Sequence, residues 1–220
     1  RKLRVLALHS HRTSASILQR QMALAGFTQR FGDLVEFVCV DAPHSASGPP
    51  EPVVRQWFPE GPYLEWWDAR AGEGGGTVYD GYDDTIRYVE GKLQEHAPVD
   101  GLLGFSQGAC VAAVLAALQQ RGEALQGVTP LRFVVCCSGF AARATGMERL
   151  YEQPLKLPSL HVWGEQEGAF GRMCQSLAGK FEGAETMTHP RGHVLPTLRD
   201  EQAGAVRNFL VKHGRVGSAL

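Results

Sequence analysis

The sequence predicts an α/β fold: one domain with a mostly parallel central sheet and helices on both faces. Three observations carry this prediction. Short, near-continuously apolar segments recur along the 220 residues, segments of helical periodicity separate them, and no internal repeat or heptad interrupts the alternation. The domain is expected to span 1–213, followed by a short tail at 214–220.

The elements follow in order. Lys2–Leu8 is an apolar run that stops at His9-Ser10-His11 and reads as a strand entering a loop. From Ile17 to Phe31 the apolar positions recur at helical spacing until Gly32-Asp33 breaks them. Val35–Val40 is a β-branched strand ending at Asp41-Ala42-Pro43. Tyr82–Glu95 reads as a helix, Val99–Phe105 as a strand, and Ala109–Gln119 as a helix apolar nearly all round, as one covered by the rest of the domain would be. Leu131–Cys137 and Ser159–Trp163 complete the strands, and Gln202–Lys212 closes the chain as an amphipathic helix.

The stretch from His44 to Thr77 is the irregular part, with Pro43 just before it, prolines at 49, 50, 52, 59 and 62 within it, and the aromatics Trp57, Phe58, Tyr63, Trp66 and Trp67. Long loops of this kind are often lids or binding loops. The alternative is a surface excursion whose tryptophans fill core. Gly74-Gly75-Gly76 within it reads as a flexible turn.

Composition removes several function classes. With 22 Lys plus Arg against 23 Asp plus Glu, there is no basic footprint for a phosphate backbone, so nucleic acid is not an expected partner. No apolar run reaches the length of a transmembrane segment, and no leader pattern precedes the first strand. Five cysteines, an odd number in apolar settings without paired spacing, argue for reduced thiols rather than disulfides or zinc. A cytoplasmic, soluble protein is expected.

The sharpest local signal is Gly104-Phe105-Ser106-Gln107-Gly108, a G-x-S-x-G between an apolar strand and an apolar helix. That junction presents a serine at a tight turn where flanking side chains would collide with the strand and helix. A serine hydroxyl is a poor nucleophile until a histidine takes its proton and a carboxylate orients that histidine. Both partners should follow the serine, acid first. His161 lies in a strand pattern and His213 in the last helix. His193, in Arg191-Gly192-His193-Val194-Leu195-Pro196, can hang over the strand ends and is the expected base, with His189 as fallback. The loop Gly164-Glu165-Gln166-Glu167-Gly168 offers two acids, of which Glu167, further into the loop, is preferred over Glu165.

Such a site needs two backbone N–H groups aimed at the developing oxyanion. One is expected at Gln107 and the other in the loop after the first strand, at His11 or else Ser10. His9 and His11 alone are poor evidence for a metal, and neither metal nor cofactor is expected. Trp57, Trp66, Trp67 and Phe105 are the expected walls for an apolar acyl chain.

Taken together, Leu8-His9-Ser10-His11-Arg12-Thr13-Ser14, Asp41-Ala42-Pro43-His44, the Trp-rich segment, Gly104–Ala109 and Gly192-His193-Val194-Leu195-Pro196 resemble the family serine hydrolases that include the OVCA2-like esterases. The resemblance spans about Leu3 to Leu210. It implies a small α/β-hydrolase with a Ser-Asp-His triad, acting on carboxylic esters or thioesters, often of medium or long acyl chains. The chain departs from the family pattern at His9-Ser10, where His-Gly is usual, and at Glu167, where Asp is usual. The expected partner is thus a small-molecule ester, with a carrier-bound or coenzyme-bound thioester and a non-catalytic ligand receptor as alternatives.

Overall fold

The computed structural model describes residues 1–214. In chain order its elements are β1 (Leu3–Leu8), α1 (Ala15–Leu24), α2 (Phe27–Phe31), β2 (Val35–Val40), β3 (His44–Ser45), α3 (Pro52–Trp57), β4 (Leu64–Glu65), β5 (Asp68–Ala71) and β6 (Thr77–Asp80). Then come α4 (Tyr82–Glu95), β7 (Gly101–Phe105), α5 (Gln107–Arg121), β8 (Phe133–Cys137), β9 (Ser159–Gly164), α6 (Ala169–Ala178), β10 (Glu185–His189) and α7 (Asp200–Gly214). Six strands pair in the order β10-β9-β8-β7-β1-β2, and every pairing is parallel.

Strand alternation divides the core in two. Leu6 and Leu8 of β1 face one side with Val89 of α4 and the buried stripe of α5, whereas Val5 and Ala7 face the other with Leu18, Phe31 and Phe209. Helices cover both faces, which is why these strands carry apolar residues at nearly every position. The chain runs from β1 outward to β2, then returns to place β7 on the opposite flank of β1. The order of strands therefore reverses between β1 and β7, and the loops at their carboxyl ends diverge there to leave a crevice. Ser106 follows β7 and His9–Arg12 follow β1, so topology alone puts both loops at this crevice.

Three expectations need correction. The helix expected across Ile17–Phe31 is two: Gly26, at φ 82, stops α1, with Gly26 N–H donating to Ala23 O, and α2 starts afresh at Phe27. The stretch 44–77 is not structureless. It holds α3, a β3–β4 pairing and a β5–β6 hairpin. The expected elements also omit α6, an amphipathic helix, and β10, an edge strand reading Glu-Thr-Met-Thr-His. The last helix reaches Gly214, and the remainder of the expected tail lies outside the described residues.

Candidate active site

Ser106 sits between β7 and α5 with φ 54 and ψ −114, a conformation that an L-residue holds only when its surroundings force it. Those surroundings explain both glycines of the pentapeptide. A Cβ on Gly104 would overlap the backbone of Gly108 and Ala109, and one on Gly108 would overlap the carbonyls of Leu8 and His9. Helix α5 thus starts hard against the carboxyl end of β1. Ser106 N–H donates to Cys137 O at 2.9 Å, tying the turn to β8.

The structure brings Ser106, His193 and Glu167 into one relay. His193 Nε2 lies 2.9 Å from Ser106 Oγ, and His193 Nδ1 lies 2.9 Å from Glu167 Oε2. With the carboxylate accepting from Nδ1–H, Nε2 is left to accept the serine proton. The imidazole is 41% exposed, the carboxylate fully buried. Phe105 stacks on the imidazole at 5.3 Å and Phe170 meets it edge-on at 4.6 Å, so packing as well as hydrogen bonding orients the ring.

Two glutamates compete in the sequence, and the loop geometry separates them. Glu165 accepts from Thr188 Oγ1 at 2.9 Å, away from the imidazole. Glu167 turns inward, where its Oε1 accepts from Ser138 Oγ and from Gly164 N–H, both at 2.7 Å. Burial pushes this carboxyl up, but hydrogen bonds from His193, Ser138 and Gly164 together outweigh it and hold the group below its ordinary value. Between the two acids, Gln166 ties this loop to the histidine loop: its N–H donates to Arg191 O and its Nε2 to Pro190 O. His189, the fallback base, is buried at the end of β10, and its ring nitrogens have no partner among the described residues.

The N–H groups of Gln107, His11 and Ser10 have no acceptor among the described residues, and Gln107 opens α5, whose N-terminal dipole favours negative charge nearby. The side chain of Gln107 has a different task. Its Oε1 accepts from Trp66 N–H at 3.0 Å, and its Nε2 donates to Trp67 O at 2.8 Å.

The aromatic wall is placed otherwise than expected. Trp66 and Trp67 are 0% and 1% exposed. Trp67 stacks on Tyr79 at 4.8 Å and Trp66 packs on His9, so both rings fill core and offer no surface to a ligand. Trp57 is 66% exposed at the end of α3, an element none of whose residues is buried. Phe105 alone of the four expected residues touches the relay. Phe170 also touches it and packs against Phe140 at 5.5 Å. Sequence reading missed Ser138, Phe140 and Phe170, which follow strands β8 and β9. The only available signal was position, just past an apolar strand end.

His9 is structural. Its Nε2 accepts from Ala42 N–H at 2.9 Å and its Nδ1 lies 2.8 Å from Ser10 O, so the ring proton belongs on Nδ1. Burial pushes its pKa down to about 4. It joins the loop after β1 to Asp41-Ala42-Pro43, which explains why both segments are distinctive in the sequence.

A parallel sheet wrapped on both faces, with a strained serine at the switch point and a histidine–carboxylate pair behind it, defines an α/β hydrolase. Residues 1–205 match the serine hydrolase (FSH1) family. The chain belongs to that family and is a serine hydrolase of esterase type. It is 36% identical over 227 residues to an esterase of Anopheles gambiae, covering 96% of this chain and 80% of that protein. It is also 36% identical over 223 residues to esterase OVCA2 of Homo sapiens, covering 92% and 93%. Among solved structures, acyl-protein thioesterase 2 of Zea mays superposes with a TM-score of 0.65 at 19% identity, over 97% of this chain and 94% of that one. Esterase PE8 gives 0.62 at 18% identity, over 96% and 93%. At these identities the structural likeness speaks for the fold. Among the described residues, no helix is long and apolar enough to cross a membrane.

Proposed function

We propose that the chain hydrolyses carboxylic esters with an apolar acyl chain, through an acyl-enzyme on Ser106. The observation that carries this is the unbroken relay from Glu167 through His193 to Ser106, with both links at 2.9 Å. His193 Nε2 takes the serine proton as Oγ bonds to the ester carbonyl carbon, and the carbonyl oxygen becomes an oxyanion held by the N–H groups of Gln107 and His11 or Ser10. Collapse expels the alcohol, which leaves with the proton from His193. Water, deprotonated by the same nitrogen, then releases the acid. Glu167 keeps the imidazole in the productive tautomer and stabilises the imidazolium. No cofactor enters these steps.

The acyl chain lies along Phe140 and Phe170, partly exposed rings continuous with the imidazole. Five free cysteines, four of them buried, fit a cytoplasmic setting.

Labelling with a fluorophosphonate probe tests the nucleophile. Wild type reacts and Ser106→Ala does not; a folded wild type that stays unlabelled would refute the proposal. Rates on matched oxygen esters and thioesters of one acyl chain then decide between esterase and thioesterase action, which use the same relay.

A further inference from the structure

The stretch 44–77 contributes four residues, Leu64–Trp67, that reach both loops bearing the proposed oxyanion donors. Leu64 N–H donates to Thr13 O and Trp66 Nε1 to His9 O, each at 2.8 Å. The Trp66 and Trp67 main chain grips the Gln107 side chain from the other side. Between these contacts stands Glu65, a carboxylate 2% exposed. Its Oε2 faces His11 Nε2 at 3.2 Å and Arg12 Nε at 3.3 Å, and its Oε1 accepts from Ser47 N–H at 3.0 Å. Arg12 also donates to Pro49 O and Ser47 Oγ.

A buried carboxylate is a poor way to add stability, because desolvation offsets much of the Coulomb gain. Its placement suits a different purpose. Arg12 has φ 54, a left-handed conformation that is strained for a non-glycine residue. Donors aimed at a charge that exists only in the transition state gain nothing in the resting enzyme, so something else must hold them there.

We propose that Glu65 is a positioning residue of the oxyanion hole: it draws His11 and Arg12 toward the interior and fixes the main chain after β1, while Trp66-Trp67 fixes Gln107 opposite. This rests on the hydrolase reading of Ser106.

The test compares full-length wild type with Glu65→Gln, Glu65→Asp and Glu65→Ala on a short aryl ester. Glu65→Gln retains the volume and an acceptor for Ser47 N–H, but loses the charge facing His11 and Arg12. The expected result is a kcat about tenfold lower with KM within about twofold, less than the ~10²–10³ for outright removal of a donor. Glu65→Ala should fall further and Glu65→Asp recover part of the loss. Affinity for a trifluoromethyl ketone, which forms a tetrahedral oxyanion on Ser106, should weaken in step with kcat/KM, while the carboxylic acid product binds as before. Equal rates in all variants, or losses that follow the folded fraction or KM alone, would overturn the proposal. If Glu65→Ala does not fold, Glu65→Gln and Glu65→Asp, which keep most of the side-chain volume, carry the test: Glu65→Gln shows the kcat-specific loss or the proposal is overturned. A wild type unlabelled by fluorophosphonate overturns both readings. A labelled wild type with Glu65-insensitive kcat overturns this one alone.

Discussion

Ser138 Oγ donates a 2.7 Å hydrogen bond to Glu167 Oε1, the carboxylate oxygen turned away from His193. Ser138 is buried and holds φ 48, a strained value, with its N–H on Val162 O. Glu has one methylene more than Asp and one more torsion to fix. Ser138 and Gly164 N–H fix it by holding one oxygen, which leaves the other pointed at the imidazole. Charge-assisted bonds of this kind are worth roughly 1.5–3 kcal/mol. Ser138→Ala should therefore raise the Glu167 carboxyl toward its ordinary value and lower kcat/KM several-fold, with the acid limb of the pH–rate profile displaced. Glu167→Asp in the wild-type background should lose at least tenfold, and Glu165→Gln should stay near wild type. An active Glu167→Gln beside an inactive Glu165→Gln would reverse the assignment.

Acid should unfold the protein through two buried histidines. Burial pushes both His9 and His161 down to about 4, and His161 Nε2 has no hydrogen-bond partner among the described residues. Both titrate near 6.5 once unfolded. Between pH 6.5 and 4 the unfolded chain binds protons that the folded chain refuses, so stability falls as pH drops through that window. A shift of this size is worth up to roughly 3 kcal/mol per group. Urea melts at pH 7, 6 and 5 measure the slope, and His161→Phe should flatten it.

The tryptophans should part company under substitution. Trp66→Ala opens the core and should cost about 3–5 kcal/mol, visible as a large loss of Tm. Trp57→Ala should change Tm by no more than a degree or two and leave the rates on long-chain esters intact. An acyl-length preference that collapses in Trp57→Ala would show that α3, not the Phe140–Phe170 shelf, meets the chain.

That shelf has its own signature. Phe140 is one ring removed from the imidazole, so Phe140→Ala should lower kcat/KM for an octanoate ester by about tenfold while sparing the acetate. Phe170→Ala touches His193 itself and should lower both.

Most strands of the sheet and the helices beside them were legible because burial on both faces writes itself as apolar runs, and Ser106 because its pentapeptide falls between an apolar strand and an apolar helix. His193 was legible from its glycine-preceded loop before the last helix, with His161 and His213 lying in regular elements, whereas His189 stayed a fallback because β10 was not recognised. The choice of Glu167 over Glu165 rested on loop depth, and the geometry turns on contacts from Ser138 and Thr188 that are distant in sequence. Edge strand β10 was hidden because its outward positions carry threonine and its apolar content is slight. Trp66 and Trp67 were ambiguous for a related reason: proline-rich composition marks a departure from regular structure, but not which part of the excursion the core takes in.

The relay joins residues that follow three separate strands, β7, β9 and β10, with Ser106 and His193 lying 87 positions apart. The strained serine turn is local to β7 and α5 and can form while the far edge of the sheet is still open. The base cannot, because its loop exists only once β10 has docked on β9. Turnover therefore reports completion of folding rather than its onset. A proteolytic nick between α6 and β10 should silence the enzyme while its central strands are still protected, making this edge the place where cutting and catalysis are most tightly linked.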